Sequence, residues 1–202
     1  MGTPEFAVPT LKGLIDAHHI VGVVTQPDRR AGRGRTVQVS PVKQVAVEHN
    51  LSLFQPPTLR TPQALEQLAM WNPDVIIVAA FGQILRQDVL DLPPHGCLNV
   101  HASLLPRWRG NPLAAAILAG DEVTGVTIMK MDAGLDTGPV LAQREEPIYS
   151  DDTQETLEQR LSHIGAKLLI EILPPYLKGD LVPRAQPEEG VTYAPQLRKE
   201  AG

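Results

Sequence analysis

One pattern constrains this chain more than any other: short apolar, β-branched runs alternate with stretches of helical spacing. The run Asp74–Ala80 (DVIIVAA) is apolar almost throughout. A strand covered on one face alternates apolar and polar residues, so a near-continuous run implies helices on both faces of a mostly parallel sheet. Similar runs occur at Ile20–Thr25, Leu51–Gln55, Cys97–His101, Thr124–Met131 and Val140–Gln143. Between them Phe6–Ala17, Pro41–His49, Pro62–Trp71 and Pro112–Ala119 read as helices, three of them opening on a proline, which the first helical turn tolerates best. Thr153–Leu173 is the longest helical segment, with Leu157, Leu161, Ile164, Leu168 and Ile172 three or four apart. Pro174-Pro175 is expected to end it.

Both ends of the sequence carry expectations. Gly2-Thr3-Pro4 leading straight into a helix is the usual continuation of the first strand of a doubly wound sheet, so that strand is expected before residue 1, leaving Gly2–Pro4 without its support. Residues 179–202 are rich in Pro, Gly and charge and read as a linker leading elsewhere. The expected division is therefore a domain over 1–178 and a linker over 179–202.

Composition narrows the function classes. With 18 Lys/Arg against 23 Asp/Glu the net charge is −5, which excludes a wholly basic nucleic-acid clamp. The charge is uneven, however: residues 1–60 are net basic, with Arg29, Arg30, Arg33 and Arg35 clustered, and the rest is acidic. That asymmetry suits an anionic partner on one surface. No apolar stretch reaches the roughly 18 residues of a membrane span, and the single cysteine, Cys97, cannot close an internal disulfide. A reducing, cytoplasmic address and a monomer without membrane contact are expected.

Three segments carry chemistry. In CLNVHASLLPRWRG (97–110), strand alternation points Asn99 and His101 to the same face, at the carboxyl end where open α/β sheets bind ligands. An amide and an imidazole side by side can stabilise an oxyanion and handle a proton; alternatively Asn99 ends the strand and His101 is structural. In MDAGLDTG (131–138), one aspartate can reach a neighbouring histidine and fix its orientation, or both can bond their own turn. TQPDRRAGRGR (25–35) is a basic surface loop suited to phosphates, or a solvated charge run. It lacks the Gly-Lys-Ser/Thr ending of a phosphate-cradling loop, and the histidines show no metal-ligand spacing.

Taken together, MGTPEFAVPTL, TQPDRRAGRGR, SPVK, LNVHASLLPRWRG and GVTIMKMDAGLDTG, in this order, resemble the methionyl-tRNA formyltransferases over essentially the whole chain. The resemblance implies a Rossmann-like, doubly wound catalytic domain. It also implies transfer of a formyl group from 10-formyltetrahydrofolate to the amino group of methionyl-initiator tRNA, without a metal. On it, Asn99, His101 and Asp136 are catalytic, and Ser103, Leu104, Leu105 and Pro106 bind folate. The arginine loop, with Arg29, Arg30, Arg33 and Arg35, meets the tRNA acceptor stem. One residue, Asn111, separates Gly110 from Pro112 where the family usually has two small ones, which is expected to shift the Arg107–Gly110 turn. A terminal domain that helps bind tRNA in the family is not matched. Two other readings stand beside this one: a formyltransferase acting on an amino-sugar nucleotide, and a folate- or RNA-binding remnant without catalysis.

Overall fold

A computed structural model describes residues 1–31 and 36–195. A short 3-10 turn leads into α1 (Val8–Ala17), followed by β1 (Val23–Val24), β2 (Arg29–Ala31), β3 (Thr36–Gln38), α2 (Pro41–Glu48), β4 (Leu53–Phe54), α3 (Pro62–Trp71), β5 (Ile76–Val78), α4 (Gln87–Leu90) and β6 (Cys97–His101). The remainder comprises β7 (Arg109–Gly110), α5 (Pro112–Leu118), β8 (Val123–Lys130), β9 (Val140–Pro147), α6 (Gln154–Leu177) and β10 (Tyr193–Ala194). Helix starts follow the local chemistry. Ser40 and Thr61 each precede a proline at the first helical position, and their hydroxyls accept the amides of Lys43 and Ala64. Thr153 and Thr156 exchange side-chain-to-backbone bonds to open α6.

The fold is α/β and doubly wound. β5 and β6 pair in parallel, β1 and β4 do likewise, and Met1–Gly2 bridges the two pairs. Gly2 donates to the Val24 carbonyl at 3.0 Å, and the Ala79 amide donates to the Met1 carbonyl at 3.0 Å. The Gly2–Pro4 turn is therefore supported from both sides, contrary to expectation, with Thr3 Oγ1 also bonded to the Phe81 carbonyl at 3.2 Å. Beyond Met1, a cavity of about 250 Å³ continues between Ile20–Val24 and Asp74–Ile77. On the other flank the sheet turns antiparallel: β8 runs against β6, and β9 against β8.

Two apolar cores lie on opposite faces. One packs α1, α2, α5 and α6 on Leu98, Val100, Val126 and Ile128. The other gathers Leu59, Leu68, Phe81, Leu85 and Val89 around Val24, Ile76, Val78 and Cys97. β6 divides its side chains accordingly, Leu98 and Val100 into the first core and Cys97 into the second. Cys97 is fully buried; its thiol donates to the Val89 carbonyl at 3.7 Å, and burial pushes it up to about 12.

Two expectations need correction. α6 does not stop at Pro174 but continues to Leu177, with both prolines inside it. The prolines forfeit two amide donors, yet Leu173 and Tyr176 remain buried and the Tyr176 hydroxyl donates to the His95 carbonyl at 2.6 Å. Packing and that bond offset the penalty. The basic loop is also more ordered at its base than a plain loop: β2 and β3 form an antiparallel pair. Asp28, just before it, bonds Lys43 Nζ at 2.5 Å and Gln55 Nε2 at 2.9 Å, and those contacts hold its carboxyl below the usual range.

Candidate active site

Asn99 and His101 follow Cys97 on the same face of β6. Both line a cleft of about 770 Å³ at the carboxyl end of β5 and β6. The opposite walls are Ala80–Leu85 after β5, Met131–Asp136 after β8, Asn111–Leu113 at the start of α5, and Glu158 of α6. Burial, with Glu155 as a lesser cause, raises the Glu158 carboxyl above its usual range.

His101 is 5% exposed. Its Nε2 lies 3.0 Å from the Trp108 carbonyl, which can only accept, so in this orientation Nε2 carries a proton. Nδ1 stands 3.7 Å from Asp136 Oδ2, beyond hydrogen-bond length. That nitrogen is uncommitted and faces the carboxylate. Asp136 Oδ2 itself accepts the Gly110 amide at 2.8 Å. The two loop aspartates thus divide. Asp132 bonds within its own loop, to Gly134 N at 3.0 Å and Thr137 Oγ1 at 2.6 Å, whereas Asp136 reaches across to the neighbouring segment.

Backbone strain gathers here. Among the described residues, five non-glycine residues have positive φ: Asn50, Asn72 and Asp136, of types that tolerate it, and Ala80 and Trp108, which do not. Ala80 and Asp136 line the cleft and Trp108 holds the histidine. Such conformations cost about 1–3 kcal/mol each and cluster where function holds a group in place.

Other sequence-derived residues lie elsewhere. Ser103, Leu104, Leu105 and Pro106 are absent from the cleft walls. Ser103, 1% exposed, donates to the Arg107 carbonyl at 2.6 Å, and the Leu105 amide donates to Thr127 Oγ1 at 3.0 Å. They build the turn that presents the Trp108 carbonyl to His101. Arg29 is exposed on β2; Arg33 and Arg35 lie outside the described residues, as does the side chain of Arg30. The Arg107–Gly110 turn, with the single Asn111 after it, is fixed by Asp121. That carboxylate takes two bonds from Arg107, at 2.8 and 2.6 Å, and one from Trp108 Nε1 at 2.7 Å.

Sequence reasoning missed Gln83, Arg109 and Gln186. Gln83 ties the post-β5 wall to Leu59 and Pro56; its only sequence signal is a polar residue among apolar ones in the loop that follows a strand. Residues 184–194, read as linker, run back over the site. Arg184 bridges Val140, and β10 lies parallel to β7. Gly110 permits that approach: its φ is +104°, and a Cβ there would stand 2.5 Å from the Ala194 carbonyl. Among the described residues no three His, Cys, Asp or Glu side chains cluster to hold a metal, and no helix is long and apolar enough to cross a membrane.

A family model described as formyl transferase matches residues 1–173. A methionyl-tRNA formyltransferase from Halorhodospira halophila is 54% identical over 97% of this chain, which spans 64% of that relative's length. Among solved structures, glycinamide ribonucleotide transformylase 1 from Symbiobacterium toebii shares the fold, with a TM-score of 0.73 at 22% identity over 91% of this chain and 90% of its own. A formyltransferase from Anoxybacillus kamchatkensis, solved with a UDP-linked formamido sugar and tetrahydrofolate, is 26% identical over 85% of this chain and 83% of its own, with a TM-score of 0.62. A family match over most of the length, on the same Rossmann-like sheet, places the chain in the formyl transferase family.

Proposed function

We propose that this chain is the catalytic part of an enzyme that moves the formyl group of 10-formyltetrahydrofolate to the amino group of methionyl-initiator tRNA. One observation carries the reading: Asn99, His101 and Asp136, from a strand and a separate loop, share one cleft. The acceptor is inferred from the 54% identical relative, a methionyl-tRNA formyltransferase. The donor class is supported by the tetrahydrofolate bound to the Anoxybacillus formyltransferase. The same reading takes 1–178 as the catalytic domain, with residues 184–194 of the segment 179–202 packed back onto it.

The amine attacks the formyl carbon, a carbon–nitrogen bond forms, and the carbonyl oxygen takes the negative charge. The Asn99 amide donates to that oxygen, at a scale of about 3 kcal/mol for one preorganised donor. His101, held at Nε2 by Trp108 and facing Asp136 with Nδ1, is the second group beside that oxygen and stabilises it as the protonated ring. Asp136 balances positive charge on the ring and, through water, relays the amine proton to N10 of the folate as the bond from the formyl carbon to N10 breaks. The folate supplies the one-carbon unit; the protein supplies position and electrostatics. Ser103, Leu104, Leu105 and Pro106 are the folate-binding segment in this reading, which is supported by the turn they form between β6 and the Trp108 carbonyl beside His101. Arg29, Arg30, Arg33 and Arg35 contact acceptor-stem phosphates.

Competition between two amines tests the assignment. The purified chain should formylate methionyl-tRNA in preference to an amino-sugar nucleotide, and His101→Ala should abolish transfer. Preference for the sugar would replace the acceptor, and folate binding without any transfer would make the chain a binding remnant.

A further inference from the structure

The Asp136 carboxylate is held by Gly110, and its backbone, at φ +52°, has a separate hold. One side chain provides it. Gln186 Nε2 donates to both the Asp136 and the Gly138 carbonyls, each at 2.8 Å. Its Oε1 accepts from Arg109 Nη2 at 2.7 Å and Nε at 3.3 Å. Arg109 is buried, at 9% exposure, and precedes the glycine whose amide grips the Asp136 carboxylate. The circuit is closed: Arg109 orients the Gln186 amide, Gln186 clamps the loop backbone, and Gly110 clamps the loop side chain. Gln186 is not among the residues lining the cleft.

We propose that Gln186, aligned by Arg109, is a positioning residue for formyl transfer, setting Asp136 against Nδ1 of His101. The proposal rests on the catalytic reading of Asp136 given above. A carboxamide is the only side chain of this length that donates two bonds and also accepts two, as this position requires. A displacement of about 1 Å at such a group costs on the order of 100-fold in rate.

Gln186→Glu keeps the acceptor for Arg109 and removes both donors to the loop, while Gln186→Met removes all four bonds at nearly constant volume. In the full chain both should lower kcat by about 10- to 100-fold, with KM for the formyl donor little changed. The imidazole nitrogen NMR shifts of His101 at fixed pH should move in the same direction as in Asp136→Asn. A kcat within twofold of the parent in both folded variants, or a loss that tracks unfolding while the His101 shifts stay put, overturns the proposal. Full turnover in Asp136→Asn sinks the catalytic reading instead, and the His101 shifts then still report whether Gln186 holds the loop.

Discussion

The two sides of the cleft are built differently. Asn99 and His101 sit on β6, where Val78 on one side and Met129 and Thr127 on the other fix the register. Their direction follows from strand alternation and costs no strain. Asp136 sits on the loop joining β8 to β9, in a left-handed conformation that its neighbours in sequence do not enforce. It is held by groups 26 and 50 residues away. The strand is held by continuous backbone ladders on both sides, whereas Asp136 is held by single bonds from Gly110 and Gln186, so damage to the two should separate into chemistry and stability.

The largest effect should come from the strand side. Asn99→Ala removes an amide that faces the cleft and should cost about 10²- to 10³-fold in kcat, with the thermal midpoint almost unchanged; a parallel loss of stability would break the contrast. On the loop side, Gly138→Ala places a methyl group against the Lys130 carbonyl. Overpacking of that kind costs roughly 1–3 kcal/mol, so urea unfolding should detect a destabilisation that Asn99→Ala lacks. Asp121→Ala removes three bonds from the turn holding Trp108, but the Arg107 partner is 44% exposed. A loss of about 1–2 kcal/mol is expected.

The smallest effect lies away from the cleft. Arg160 grips Asp152 with two guanidinium nitrogens, at 2.6 and 2.7 Å, and this holds the carboxyl well below its usual range. A carboxylate depressed on folding stabilises the native state above its unfolded value of about 3.9 and loses that contribution as pH falls through its folded value. The stability gap between the parent and Asp152→Asn should therefore be constant from neutrality to mild acid and shrink below about pH 4. A gap that persists into strong acid would assign the contact a purely packing role.

Legibility in the sequence divides along the same line. β6 and α3 match their expected bounds residue for residue, because apolar alternation and a Thr-Pro start are local signals. α6 outran its expected end because a proline's penalty is set by local chemistry, while the Tyr176 bond that offsets it reaches 81 residues back. β7 and β10, two residues each, are too short to show any periodicity. The Asn99 and His101 directions came from alternation. Which aspartate of 131–138 reaches the histidine was settled by the resemblance, since spacing favours neither. Gln186 gave no signal at all: an isolated polar residue in a Pro-rich stretch becomes meaningful only when the chain returns to the site.

The buried thiol of Cys97 has a practical use. With its ionisation pushed up to about 12 and its sulfur sealed beneath α4, it should ignore alkylating dyes under ordinary conditions. Ile84 and Leu135 project from facing rims of the cleft at 74% and 59% exposure. Cysteines introduced there would take fluorophores without competing background, making the mouth of the cleft a gauge whose width can be tracked in real time as ligands enter.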